Sequence, residues 1–151
     1  MKNSIRPFQI NIPENELSQL SERLKNTRWP DAETVSSWDQ GIPLDYAKSL
    51  ANYWINEYDW RRCEKMLNQW PNYMTSIEDV DIHFIHEKGS GSNPKPLLLN
   101  HGWPGSIIEF LHIIDQLAHP EKYGGKEDDG FDVVVPSLPG YGFSGRPSRP
   151  I

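Results

Sequence analysis

The sequence predicts an α/β fold in which a helical and irregular amino-terminal region precedes the first strands of a sheet. Residues 97–99 and 131–136 are mainly apolar runs, which are typical of parallel strands buried on both faces. The segment between them opens with a Gly/Pro-rich turn and continues with apolar residues at helical spacing. Strand, helix and strand make a βαβ unit, and such units are right-handed in nearly all proteins.

The turn that follows residues 97–99 organises the rest of the chain. It reads Asn100-His101-Gly102-Trp103-Pro104-Gly105-Ser106. Glycine tolerates positive φ and proline fixes its own φ, so this composition favours a tight reversal. Ser106 and Glu109 have the spacing of a capping box, so we expect a helix from residue 107 to about residue 117. Ligands of open α/β sheets bind at the carboxyl ends of strands, where this turn lies.

Two further strands are expected before this turn, and three helices before those strands. The strands cover residues 73–77 and 80–86, and a flexible loop at 89–94 leads to residue 97. The first helix is expected directly after Pro13, the second from near Leu44, and the third after Asp59, which is its expected cap. Five of the six tryptophans lie before residue 71. Because short helices cannot bury so much aromatic surface among themselves, we infer that this region packs onto another domain.

Composition restricts the class of protein. The net charge of −6 and the pI near 5.3 argue against nucleic acid or an anionic membrane as the main partner. The single cysteine, Cys63, excludes an internal disulfide framework and favours a reducing compartment. Neither a transmembrane segment nor a signal-peptide core is evident, so we expect a soluble, cytoplasmic protein.

His83 and His86 have a spacing that occurs in metal sites. In a strand, however, side chains alternate between faces, so these two point in opposite directions. No cysteine or acidic cluster completes a ligand set. We therefore expect neither a metal nor a cofactor.

The run from His101 to Ser106 resembles the oxyanion-hole loop of α/β-hydrolases, and its Trp-Pro version is similar to that of epoxide hydrolases related to the microsomal enzyme. The amino-terminal region resembles the same family in Arg23-Leu24, residues 27–31, residues 58–61 and Glu64, and residues 137–145 match it as well. The resemblance implies that residues 1–72 form the amino-terminal clasp of such an enzyme. Residues 73–151 would then begin the catalytic domain, as an incomplete α/β-hydrolase sheet.

The resemblance also implies the site residues. The backbone N–H of Trp103 would be an oxyanion-hole donor, because oriented amides stabilise charge that develops on an oxygen. The side chains of Trp103, Pro104 and Phe143 would contact substrate, with Tyr141 as an alternative to Phe143. His101, Gly102 and Gly105 would support the loop. A cis Trp103–Pro104 bond is also expected, since only X-Pro bonds adopt that state at low cost.

The family's remaining machinery has no counterpart in the 151 residues. No nucleophile turn follows residue 143, and the cap tyrosines, the general-base histidine and its acidic partner are missing as well. The leading hypothesis is therefore the amino-terminal part of an epoxide hydrolase that converts a small hydrophobic epoxide and water to a diol. The alternatives are a non-catalytic module that pairs with a separate chain, and an esterase or dehalogenase with a related loop. A homo-oligomer, or association with a missing carboxy-terminal half, is the expected partnership, because the sheet has open edges.

Overall fold

The computed structural model describes residues 4–148. Within that range the secondary structure comprises five strands and four α-helices. They are β1 (Arg6–Pro7), α1 (Glu14–Lys25), α2 (Leu44–Asn56), α3 (Trp60–Leu67), β2 (Asn72–Ile77), β3 (Val80–Glu87), β4 (Lys95–Leu98), α4 (Ile114–Ala118) and β5 (Phe131–Pro136). Short 3-10 turns cover Ile107–Phe110, Pro120–Tyr123 and Glu127–Asp129.

The chain divides into two compact units. The helical unit comprises Asn11–Lys65, and the sheet unit comprises the described residues up to Ile10 and from Met66 onward. The sequence places the division between the clasp and the catalytic domain at residues 72 and 73, and that boundary stays a prediction.

The sheet has the strand order β1-β2-β3-β5-β4. β2 and β3 form an antiparallel hairpin, β3 pairs antiparallel with β5, and β5 pairs parallel with β4. The hairpin turn places Glu78 and Asp79 both at positive φ, as a two-residue turn between twisted strands requires. Tyr73 lies opposite Phe84 in the hairpin, and Leu97 lies opposite Val133 in the parallel pair. The predicted strands at 73–77, 80–86 and 131–136, and the parallel pairing of 97–98 with the last of them, are confirmed.

The prediction that the strand at 97–99 is buried on both faces is wrong for this structure. Among the described residues, β4 is the last strand of the sheet order. Leu98 is 60% exposed, and Lys95 and Pro96 are exposed as well. Apolar runs are typical of strands covered on both faces, but their burial depends on whether other elements of the chain cover those faces.

The helix expected after Ser106 is interrupted. A 3-10 turn at Ile107–Phe110 is followed by irregular turns and then by the short helix α4. The buried face nevertheless keeps helical spacing, because Ile107, Leu111, Ile114 and Ala118 are all buried. β-Branched isoleucines occupy four positions between residues 107 and 114, and they lower helix propensity, which is consistent with the break.

The apolar core of the described residues lies in the sheet unit. The side chains of Ile85, Val133, Val135 and Ile114 are fully buried there. In the helical unit, by contrast, α1 and α2 have no buried residue. The apolar face of α2 is about half exposed, at Tyr46, Leu50, Tyr53 and Trp54. That this face packs onto another domain stays a prediction.

The helical unit is held by polar contacts at the start of α3. Asp59 caps the helix by accepting a hydrogen bond from the Arg61 N–H at 2.9 Å, as predicted. Glu64 accepts hydrogen bonds from the Ile12 N–H at 2.8 Å, from Arg61 and from the Trp60 indole. These contacts, with that of Ile12 the strongest, hold the pKa of Glu64 below its ordinary value. Several residues that carry the family resemblance in this unit thus build its hydrogen-bond network.

Candidate active site

The turn after β4 is anchored by the side chain of His101, which is 4% exposed. Its Nδ1 atom lies 3.0 Å from the carbonyl oxygen of Gly102, and its Nε2 atom accepts a hydrogen bond from the Leu138 N–H at 3.1 Å. The ring of Tyr141 meets the imidazole edge-on, with centroids 5.2 Å apart. His101 therefore connects the turn after β4 with the segment that follows β5.

The peptide unit between Gly102 and Trp103 lies at the corner of this turn. Among the described residues, the Trp103 N–H donates no hydrogen bond. The Trp103–Pro104 bond is cis, as predicted from the sequence, and Trp103 is 83% exposed. A backbone N–H without a partner inside the protein can donate a hydrogen bond to an external acceptor.

The far side of the turn is closed by the predicted capping box. The Glu109 carboxylate accepts a hydrogen bond from the Ser106 N–H at 3.0 Å, and the Ser106 hydroxyl accepts one from the Ile108 N–H at 3.3 Å. A Cβ atom at Gly105 would fall on the Glu109 carboxylate and lie 2.9 Å from the Gly102 carbonyl oxygen. A side chain at position 105 would therefore displace the Glu109 carboxylate or the Gly102 carbonyl oxygen, whereas a Cβ atom at Gly102 would meet no atom within 4 Å.

The segment after β5 contributes to two separate clusters. Tyr141 contacts His101, as described above, whereas the Phe143 ring packs against those of Phe8 and His83, with centroids 6.0 and 5.2 Å away. The structure thus brings His101, Gly102, Trp103 and Gly105 together in one turn and places Phe143 in the other cluster. The predicted contacts of Trp103, Pro104 and Phe143 with substrate stay predictions.

The second cluster contains a buried polar chain centred on His83. Asn72 donates from Nδ2 to the carbonyl oxygens of Leu67 and Trp70, so its Oδ1 atom is left to accept from Nε2 of His83 at 2.9 Å. Nδ1 of His83 lies 2.9 Å from the Ser137 hydroxyl. Burial lowers the pKa of His83 to about 4, so the imidazole is neutral at pH 7.

Sequence patterns did not single out Leu138 or Asn72. Leu138 lies 37 residues from His101, and no spacing rule relates such positions. Asn72 lies diagonally across the β2–β3 hairpin from His83, but one residue before the strand predicted at 73–77. A cavity of about 500 Å³ near these clusters is lined by the β2–β3 turn and by residues after β5. Trp103 is not among its lining residues, so this cavity does not adjoin the Trp103 amide.

Comparison with known proteins decides which family has this turn and this amino-terminal unit. The family profile described as "Epoxide hydrolase N terminus" matches residues 5–110. The chain belongs to this family. A second profile, described as "alpha/beta hydrolase fold", matches residues 95–150, which include β4, the turn and β5.

The similar proteins are epoxide hydrolases. A putative epoxide hydrolase of Stigmatella aurantiaca is 50% identical over 145 residues, which are 96% of this chain and 33% of that protein. Epoxide hydrolase 1 of Oryctolagus cuniculus is 41% identical over 150 residues, or 97% of this chain and 33% of that protein. The chain thus spans about a third of the length of these relatives.

Solved structures support the same assignment. Epoxide hydrolase from Aspergillus niger superimposes with a TM-score of 0.82 at 35% identity, over 95% of this chain and 37% of that one. Juvenile hormone epoxide hydrolase from Bombyx mori gives a TM-score of 0.84 at 36% identity, over 99% of this chain and 40% of that one. The predicted α/β-hydrolase architecture, present here as an incomplete sheet, is confirmed. No helix among residues 4–148 has both the length and the apolar character needed to cross a bilayer.

Proposed function

We propose that this chain is the amino-terminal part of an epoxide hydrolase that converts an epoxide and water to a vicinal diol through an alkyl-enzyme ester. In that reaction the chain contributes the oxyanion-hole loop, with the N–H of Trp103 as one donor. The family resemblance implies that an aspartate nucleophile, cap tyrosines and a general-base histidine complete the site. None of these three is found among the 151 residues, so the chain alone has no turnover.

The observation that carries the proposal is the unbonded N–H of Trp103 at the carboxyl end of β4. Hydrolysis of an alkyl-enzyme ester passes through a tetrahedral oxyanion, and a preorganised amide stabilises that charge by about 3 kcal/mol. The Gly102 carbonyl oxygen, at the other end of the same peptide unit, is already engaged by His101. The turn therefore holds its donor in place before the reaction begins.

The substrate is proposed to be a small hydrophobic epoxide. Aromatic and proline side chains at Trp103, Pro104 and Phe143 offer apolar contacts to it. We also propose a cytoplasmic enzyme that associates through the open edge of its sheet, either with a second copy or with a carboxy-terminal half. Association through that edge is supported by the exposure of Leu98 on β4.

The experiment uses the 151-residue chain and a chimera that joins it to the part of the Stigmatella aurantiaca relative which it does not cover. Styrene oxide is the epoxide substrate, and p-nitrophenyl acetate tests for an esterase. We expect diol formation by the chimera and none by the chain. Diol formation by the chain alone, or a chimera that hydrolyses the ester and not the epoxide, would overturn the proposal.

Two variants of the chimera test the donor itself. Trp103→Pro removes the N–H, whereas Trp103→Phe keeps it and changes the side chain alone. Loss of one oxyanion donor is expected to slow hydrolysis of the alkyl-enzyme about 100-fold. Single-turnover measurements on Trp103→Pro should show this slowing of alkyl-enzyme hydrolysis. Trp103→Phe keeps the donor and alters only the apolar contact with substrate, so it should slow this step far less than Trp103→Pro does. Equal rates for the two variants would exclude the Trp103 amide as the donor.

A further inference from the structure

We propose that His101 is a positioning residue that fixes the direction of the Trp103 N–H, and that it does so as the neutral Nδ1–H tautomer. The proposal rests on the proposed function, because it concerns the amide assigned there as the oxyanion donor. It adds a residue, a tautomer and a connection to the segment after β5.

The tautomer follows from the two hydrogen bonds of the imidazole. The Gly102 carbonyl oxygen can only accept, so the Nδ1 atom 3.0 Å away must carry a proton. The Leu138 backbone N–H can only donate, so the Nε2 atom 3.1 Å away must be unprotonated. The other neutral tautomer breaks both bonds. The imidazolium would direct an Nε2 proton at the Leu138 N–H.

The direction of the Trp103 N–H follows from the geometry of the peptide bond. The Gly102 carbonyl and the Trp103 N–H belong to one planar peptide unit, which is trans because only the next bond, Trp103–Pro104, is cis among the described residues. In a trans unit the C=O and N–H vectors point in opposite directions. When His101 holds the carbonyl oxygen, it therefore sets the direction of the N–H without contacting it.

The imidazole is itself held from several sides. It is 4% exposed, the Tyr141 ring lies edge-on against it, and Leu138 ties it to the segment after β5. A Cβ atom at Gly105 would lie 2.9 Å from the Gly102 oxygen, so a glycine at that position leaves the oxygen room to stay on His101. Because His101 holds this oxygen, any shift of Leu138 reaches the Trp103 N–H through one ring.

His83 provides an internal comparison within the same chain. Both protons on Nδ2 of Asn72 are used on backbone carbonyls, so its Oδ1 atom accepts from Nε2 of His83. His83 is therefore the Nε2–H tautomer, opposite to that of His101. A single spectrum of the wild-type chain should show both.

The first measurement is a long-range ¹H–¹⁵N correlation spectrum of the ¹⁵N-labelled 151-residue chain at pH 7. We expect the Nδ1–H pattern for His101 and the Nε2–H pattern for His83. An Nε2–H pattern, an imidazolium or an averaged mixture of tautomers at His101 overturns the proposal. This includes the mixture that a loose turn would produce.

Two substitutions of His101 test its hydrogen bonds to Gly102 and to Leu138 separately. In His101→Asn, the side-chain amide can replace Nδ1 as the donor to Gly102 but does not reach Leu138. In His101→Gln, the terminal oxygen can replace Nε2 as the acceptor from Leu138. We expect amide hydrogen exchange at Leu138 to rise about tenfold in His101→Asn and to stay within about twofold in His101→Gln. The Trp103 amide chemical shifts should move in His101→Gln and stay near those of the wild type in His101→Asn.

A purely structural histidine predicts a different result. Both variants would then change the two amides together, in proportion to the loss of stability, and that outcome overturns the proposal. If either variant fails to fold, the wild-type tautomer spectrum decides alone. If His101 does not position the Trp103 amide, the catalytic test of that amide still stands, because it compares Trp103→Pro with Trp103→Phe in the chimera.

Discussion

The side-chain oxygen of Asn72 lies 2.9 Å from Nε2 of His83, and both residues are buried. The same Asn72 donates to the carbonyl oxygens of Leu67 and Trp70, at 2.9 and 2.8 Å. The side-chain amide of Asn72 thus bonds to a carbonyl at the end of α3, to a carbonyl shortly before β2 and to a histidine on β3. Buried polar groups persist only when their hydrogen bonds are complete, so this network depends on Asn72.

Replacement of Asn72 should therefore lower the free energy of unfolding. Asn72→Ala leaves the His83 Nε2–H and the Trp70 carbonyl without these partners, while the Leu67 carbonyl keeps its bond from the Trp70 N–H. Each unsatisfied group costs about 1–3 kcal/mol. We expect the free energy of unfolding to fall by at least about 2 kcal/mol in urea titrations. Asn56→Ala is the matched control, because Asn56 is exposed and bonds to Asn52 within its own helix. A change in the control as large as that in Asn72→Ala would contradict the assignment.

The buried imidazole also predicts a pH dependence of stability. Burial lowers the pKa of His83 in the folded chain from 6.5 to about 4, so between these values the unfolded chain binds more protons than the folded chain. Stability contributed by His83 is complete above pH 6.5. It declines as the pH falls toward 4, by a total on the order of 3 kcal/mol.

This dependence can be measured by urea unfolding at pH 7 and at pH 4.5. The non-titrating variant His83→Gln serves as the reference, because every other titrating group is common to both proteins. We expect the wild type to lose more stability than the variant over this interval. Parallel pH profiles would show that His83 is protonated equally in the folded and unfolded chains.

The sheet is predictable from local pattern, whereas its edges are not. The runs at 97–99 and 131–136 predicted two parallel strands, and Leu97 does pair with Val133. Burial of Leu98 was predicted and is not found, because it depends on elements that cover the face of the sheet, which no local pattern reveals. Similarly, Ser106 and Glu109 predicted the capping box, but not the break that separates it from α4.

The candidate site shows the same division. The composition of the turn predicted a tight reversal, and the family resemblance indicated the role of the Trp103 amide. The partner of His101 could not be predicted, because Leu138 contributes a backbone N–H that every non-proline residue has. Only the fold decides which of these amides faces the ring.

The free edge of β4 predicts self-association of the isolated chain. Leu98 is 60% exposed on a strand whose outer backbone groups have no neighbouring strand among the described residues. Leu98→Lys should reduce association, since an edge lysine opposes strand pairing. Sedimentation velocity over a range of concentrations should show less dimer than in the wild type. Leu50→Lys is the control, because Leu50 is similarly exposed but lies on helix α2 and on no strand edge. An equal effect of both variants would indicate general hydrophobic association.

The two glycines of the turn should differ sharply in their tolerance of a side chain. A Cβ atom at position 105 would lie 2.9 Å from the Gly102 carbonyl oxygen and would meet the Glu109 carboxylate, whereas one at position 102 would lie in open space. Gly105→Ala must therefore displace either the carbonyl or the capping carboxylate, at a cost of about 1–3 kcal/mol.

Gly102→Ala is the matched control and should change stability by less than about 0.5 kcal/mol. Urea unfolding gives the stabilities, and the amide signals of Trp103 and Ser106 report which group moves. A shift at Ser106 alone means that the Glu109 cap yields, whereas a shift at Trp103 means that the peptide unit held by His101 yields. Equal stabilities for the two alanine variants would show that the turn relaxes around Gly105, and the close approach of Gly102 to Gly105 would then contribute nothing to its rigidity.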